Sequence, residues 1–181
     1  MDSETRIIGW IRDDPERLAA LEAVSSLDLN DWCIAAGFVR NLVWDRLHEK
    51  NPLTPLNDID VIYFDPANPG EEIDKSLEAR LNALSTLPWS VKNQARMHLR
   101  NGDRAYTSTR DAMSHWVELE TAVGVCLSRR GKMEVIAPFG TARLFENSIT
   151  RNRRRSQSSD FYTRVEDKQW LSRWPNLKIY A

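Results

Sequence analysis

Cysteine and histidine are scarce in this 181-residue chain, with two of the first and three of the second. Cys33 and Cys126 stand far apart inside apolar runs, so they offer no metal-ligand spacing. They read as buried thiols in a reducing, cytoplasmic setting. His48, His98 and His115 are scattered as well, which argues against a zinc site. No run of about 18 apolar residues occurs, so no transmembrane helix and no membrane partner are expected. The amino terminus, MDSETRIIGW, lacks the long apolar core of a signal peptide. Neither sign of charge dominates: 25 Lys and Arg oppose 26 Asp and Glu, for a net charge of -1. A global field that would draw the chain to nucleic acid or to a membrane surface is therefore absent, and basic clusters must be judged locally. Internal repeats and long low-complexity tracts are missing too.

What is present suits a globular domain. Hydrophobic residues make up 41% of the chain, enough for a sizeable core. Residues 1–150 read as the domain. Residues 151–181 read as a basic segment and a helix packed on it. DDPERLAALEAVSSLDL has a capping Asp14, a first-turn Pro15 and an apolar face of Leu18, Leu21 and Leu27. EEIDKSLEARLNALS places Ile73, Leu77, Leu81 and Leu84 at helical spacing, with acids in its first turn. WCIAAG is a short apolar run that reads as a buried strand or turn. WSVKNQARM alternates as a strand with one polar face, broken only at Asn93. TSTRDAMSHWVELE reads as a capped helix, and TAVGVCLS and KMEVIAPF flank RRG as a hairpin. The tail DFYTRVEDKQWLSRW reads as one helix ended by Pro175. The fold class is therefore α/β (α+β), with a small, mostly antiparallel mixed sheet flanked by helices.

One stretch carries chemistry. In NDIDVIYFD, residues 57–65, Asp58 and Asp60 alternate with Ile59 and Val61 at the mouth of a strand. Residues two apart on a strand share a face, so the two carboxylates project together. Like charges side by side suit a hard cation between them. Upstream, AGFVRN (residues 36–41) is a glycine turn leading directly into a helix. Such a turn aims backbone N–H groups and the positive helix end at a phosphate, and Arg40 on the first helical turn can add a charged hydrogen bond. Lys92 and Arg96 share the polar face of their predicted strand and offer further charge to a triphosphate. RNRRRSQSS, residues 151–159, holds four arginines in its first five positions. It reads either as a solvated segment or as a contact for a polyanion such as RNA.

AGFVRN followed by DIDVIYF resembles the signature of the DNA polymerase beta-like nucleotidyltransferase superfamily, with the tRNA CCA-adding enzymes as the closest comparison. Together with VKNQARMH and APFG, the pattern is similar to a bacterial nucleotidyltransferase family from about residue 30 to the end. The resemblance implies a fold, metal dependence and a reaction type, but no acceptor. It makes Asp58 and Asp60 the ligands of Mg²⁺, two ions when substrate is bound. Gly37 and Arg40 become contacts for an NTP. The chain departs from the comparison enzymes at Ala36, where the first glycine of a pair is expected, and at Asn41, where an acid is expected. The third carboxylate is not in WSVKNQARM, where Lys92 stands, and Glu134 in KMEVIAP is the best substitute. Two other readings remain open: a non-catalytic nucleotide- or partner-binding module of the same fold, and an RNA-binding protein using the arginine segment.

Overall fold

A computed structural model describes residues 2–155 and 159–181. Two helices open the chain. In α1 (Ser3–Arg12), Asp2 caps the first turn by accepting the Thr5 N–H at 2.9 Å, and Ile7 and Ile11 point inward. In α2 (Pro15–Ser25), Asp14 does the same for Arg17 at 3.0 Å, with Pro15 in the position where its missing N–H costs nothing. The strand β1 (Cys33–Ala35) leads directly into α3 (Gly37–Leu47), and β2 (Ile59–Tyr63) follows after a proline-containing loop. Then come α4 (Glu71–Leu84), β3 (Trp89–Asn93), the short helices α5 (Met97–Asn101) and α6 (Thr109–Met113), and the hairpin β4 (Gly124–Leu127) and β5 (Met133–Ile136). A second, two-stranded sheet joins β6 (Ser148–Thr150) to β7 (Lys178–Tyr180), with α7 (Ser159–Asp167) and α8 (Trp170–Arg173) between them.

The main sheet has the order β3-β2-β1-β4-β5. Only the β2–β3 pair is parallel; the other pairs are antiparallel. Helices α1 to α4 cover one face. There Ile34, Ile59, Val61, Val91 and Val125 from the strands meet Ile7, Leu21, Phe38 and Leu42 in the main core. Since strand side chains alternate, Asp60 and Ile62 fall on the opposite face. That face is filled only in part, by a smaller cluster of Cys33, Ala35, Ile62, Met113 and Ala122. Asp60 stands opposite Ala35 on one side and Ser90 on the other, and Ala35 stands opposite Gly124. These small neighbours leave the sheet surface beside Asp60 open.

The C-terminal segment is built into the body. Trp44 on α3 packs against Phe161, Val165, Trp170, Trp174 and Leu177. The Trp44 and Trp174 rings meet edge to face at 5.1 Å, and the Trp174 indole donates to Asp45 at 2.8 Å. No helix among the described residues is long and apolar enough to cross a membrane.

Four segments depart from the sequence reading, each for a local reason. The buried face of α4 is Asp74, Leu77 and Leu81, whereas Ile73 and Leu84 are exposed by 38% and 62%. Asp74 is drawn inside because it accepts from the Tyr63 hydroxyl at 2.7 Å, from the Asn93 N–H at 3.1 Å and from Arg96. WSVKNQARM stops being a strand at Asn93, whose side chain accepts the Ala95 N–H at 3.0 Å and turns the chain into a helical turn. TSTRDAMSHWVELE is helical only over α6. The tail splits into α7 and α8 at Gln169, which has a positive φ of 51°. Within the arginine segment, Arg153 is exposed, Arg154 donates to Ser114 Oγ at 3.0 Å, and Arg155 pairs with Asp103 at 3.8 Å. Residues 156–158 of that segment lie outside the described residues.

Candidate active site

The open face of the sheet carries a cleft with two lobes that share Ala36, Asp60, Thr121 and Arg164. The first lobe, of about 130 Å³, is bordered by Gly37, Arg40, Asp58 and Asp60, with Lys168 and Trp170 from the C-terminal helices. The sequence-predicted residues Gly37, Arg40, Asp58 and Asp60 are thus brought together. Lys92 borders the second lobe, of about 360 Å³, and not the first.

Asp60 lies on β2 and Asp58 just before its first residue. Asp58 is exposed and Asp60 is half-buried. Among the described residues no hydrogen bond reaches either carboxylate. The Asp60 carboxyl is pushed up to about 6, by burial first and by the Asp58 charge second, with Arg40, Lys92 and Lys168 opposing the rise. Two converging carboxylates without protein donors are a donor set for a hard divalent cation, whose other ligands are water and phosphate oxygens. The residues fit such an ion on that ground. Among the described residues no group of three or more His, Cys, Asp or Glu side chains forms a closed metal cage.

The start of α3 supplies the opposite charge. Ala36 N–H bonds to Val123 at 2.9 Å, and the Val39 and Arg40 N–H groups bond back to Ala36 at 3.2 and 2.9 Å. The N–H groups of Gly37 and Phe38 have no partner among the described residues, and no side chain caps the helix. Phe38 is fully buried, so the Gly37 N–H, which borders the first lobe, is the orphan donor that this positive helix end offers. A methyl group on Gly37 would lie 3.2 Å from the Asn41 side-chain amide, close enough that this amide would have to shift. Ala36 has φ 56° and ψ -123°, a region that suits glycine. The departure seen in the sequence is therefore accommodated as backbone strain, with the glycine geometry kept.

Arg40 is 6% exposed and makes no ion pair within 4 Å among the described residues. It donates to Thr121 Oγ1 at 2.7 Å and to Asn41 Oδ1 at 3.0 Å, and its guanidinium lies 5.1 and 4.5 Å from the Trp44 and Trp170 ring centres. Burial pushes its pKa down to about 10, while Glu118, Asp60 and Glu120 hold it up, so it stays charged at neutral pH. A buried cation without a direct carboxylate partner, on the wall of a cleft, is poised for an anion.

Glu134, the substitute third carboxylate, is not brought to this site. It is exposed on β5, pairs with Lys132 at 2.8 Å, and is three strands away from β2. Facing Cys126 in a hairpin edge, it alternates outward into solvent. The carboxylate that sequence reasoning missed is Glu118: 1% exposed, bordering the second lobe, and held by Arg164 Nε at 2.7 Å. It lies in an irregular stretch after α6, where no periodicity signals burial. Arg164 reaches it from α7, across 46 residues of sequence.

The sequence matches the family model described as Nucleotidyltransferase over residues 22–179. Among solved structures the chain is similar to one described as an NMR structure revealing a CCA-adding enzyme head domain, at TM-score 0.85 and 33% identity, covering 98% of this chain and 95% of that one. It is similar in fold to a CCA-adding enzyme in complex with CTP, at TM-score 0.63 and 14% identity, covering 97% of this chain and 42% of that one. The Thermotoga maritima CCA-adding enzyme complexed with tRNA gives TM-score 0.64 and 14% identity, again covering 97% and 42%. The chain thus spans less than half the length of those two enzymes. No curated protein matches the sequence.

Proposed function

The chain belongs to the Nucleotidyltransferase family, and from that premise we propose that it moves a nucleoside monophosphate from an NTP to an acceptor hydroxyl in a Mg²⁺-dependent reaction. The observation that carries this is the juxtaposition in the first lobe. Among the described residues, a carboxylate pair without donors borders the same lobe as the unpaired Gly37 N–H group and a buried guanidinium. That charge pattern complements a metal-bound phosphate chain.

In this reading the Gly37 N–H group and Arg40 bind the β- and γ-phosphates and stabilise the charge that develops on the departing pyrophosphate. Thr121, Asn41, Trp44 and Trp170 keep the Arg40 side chain in place, so its charge is positioned before substrate arrives. Asp58 and Asp60 would hold the cation, which when bound neutralises phosphate charge and makes the acceptor hydroxyl a better nucleophile. The acceptor oxygen bonds to the α-phosphorus, the α–β phosphoanhydride bond breaks, pyrophosphate leaves with the electron pair, and the hydroxyl proton passes to water.

Calorimetric titration of each NTP with and without Mg²⁺ tests the reading. Binding should require Mg²⁺ and be lost in Asp58→Asn, while the fold, followed by circular dichroism, is kept. Equal binding in the presence of EDTA would count against it.

A further inference from the structure

The second lobe is larger than the first and meets it at Ala36, Asp60, Thr121 and Arg164; Gly37, Arg40 and Asp58 border only the first, and Lys92 and Arg100 only the second. Its floor is the open sheet face at Asp60 and Ile62. Its wall includes Arg100 from α5, His115 and Trp116 after α6, and Arg155.

The charges in this lobe do not cancel. Glu118 is already taken by Arg164. Arg155 and His115 lie 3.8 and 3.6 Å from Asp103, which also accepts the Tyr106 hydroxyl. That network fixes both side chains at the wall. Lys92 and Arg100 make no ion pair among the described residues. With Asp60 engaged by a cation, the lobe keeps an excess of positive charge, beside the apolar surface of Trp116 and Met97.

Geometry separates the roles of the two lobes. In-line phosphoryl transfer needs the attacking and leaving oxygens on opposite sides of the phosphorus. If the pyrophosphate end lies at the start of α3, the attacking hydroxyl comes from the other side of Asp60. A nucleoside is neutral and has no use for the unpaired Lys92 and Arg100. A cavity of about 360 Å³ is of the size that takes a small molecule, and RNA binding is one outcome of the test.

We infer that the second lobe is the acceptor site, and that it takes a small hydroxyl compound bearing a phosphate or carboxylate group, its anion held by Lys92, Arg100 and Arg155 and its hydroxyl facing Asp60. This rests on the nucleotidyl-transfer reading for the reaction, but the anion site itself is testable without nucleotide. The product is in either case a phosphodiester that still carries the acceptor's phosphate or carboxylate, with pyrophosphate released and no change in oxidation state.

The test is a titration of ribose 5-phosphate and of ribose into ¹⁵N-labelled protein, with and without a Mg²⁺-bound non-hydrolysable ATP analogue. Ribose 5-phosphate should bind and shift the amides of Arg100, Asn101 and His115 and the Trp116 indole, and ribose should not. Arg100→Gln should weaken ribose 5-phosphate about tenfold, the loss of one charged hydrogen bond, and leave the affinity for the Mg²⁺–nucleotide unchanged. Arg155→Gln is the second variant, should Arg100→Gln fail to fold. Three results each overturn the inference: equal binding of ribose and ribose 5-phosphate or no binding of either; shifts at Gly37 and Phe38 in place of α5; or tighter, Arg100-dependent binding of a short single-stranded RNA. If ribose 5-phosphate binds the second lobe but the nucleotide analogue never binds, the anion site stands and the nucleotidyl-transfer reading falls.

Discussion

Replacing Asp60 by asparagine separates a metal site from a structural carboxylate. In the metal-free protein, Asp60 has a pKa of about 6 against the ordinary 3.8. A raised pKa means that the folded state holds the proton more tightly than the unfolded state does. The stability this lends is fully present below the unfolded pKa and is lost as the pH rises through about 6. Above that range the charged carboxylate costs the fold up to about 3 kcal/mol, from about two units at 1.36 kcal/mol each. Part of that is offset when the charge is removed, because Asp60 helps to balance Arg40. Asp60→Asn should therefore stabilise the apo protein by about 1–2 kcal/mol at pH 7.5, raising Tm by about 2–8 °C for a chain of this size. Near pH 4 the gain should disappear, since wild-type Asp60 is then protonated. Thermal melts from pH 4 to 8 in EDTA measure this. In parallel, Mg²⁺ should raise the Tm of the wild type and leave the variant unchanged. A variant that is destabilised at every pH would refute the reasoning, because it would mean that the carboxylate is held by hydrogen bonds.

The remaining predictions concern the frame around the site. Ala36→Gly, at φ 56°, should leave stability unchanged or raise it by up to about 2 kcal/mol, where an unstrained buried alanine would lose about 1 kcal/mol; chemical denaturation decides between them. Trp174→Ala should cost about 3–5 kcal/mol in the same assay, since Trp174 is fully buried against Trp44 and donates to Asp45; a loss under 1 kcal/mol would show that the C-terminal helices are not part of the core. Arg153→Ala should shift stability by less than about 0.5 kcal/mol, because the side chain is exposed, and a fall of several degrees in Tm would contradict that.

The parts of the fold that the sequence made legible are those where one periodicity acts alone. DIDV alternates and opens β2, Asp14-Pro15 marks the start of α2, and AGFVRN is a turn into α3. The carboxylate pair and the glycine turn were legible because each needs a short, contiguous pattern. Long-range partners hid the rest. Asp74 sits at a helix position that local pattern assigns to solvent, and only Tyr63, Asn93 and Arg96 explain its burial. The one irregularity in WSVKNQARM, Asn93, was the signal for the strand end. Glu134 was favoured by its apolar neighbours, but alternation at a sheet edge turns it to solvent, whereas Glu118 is buried by Arg164 from a distant helix. The contribution of Trp170 to the setting of Arg40 likewise crosses 130 residues and leaves no local trace.

The central claim is that the start of α3 and the Asp58–Asp60 pair jointly bind a metal-bound phosphate chain. Amide ¹⁵N–¹H shifts during titration with Mg²⁺–ATP and Mg²⁺–CTP test it most directly. The account predicts that the Gly37 amide, without a partner among the described residues, moves to the position of a hydrogen-bonded donor. It predicts that this happens only with Mg²⁺ present, and not in Asp60→Asn. Nucleotide binding that leaves this amide unmoved, or that proceeds equally in EDTA, would contradict it.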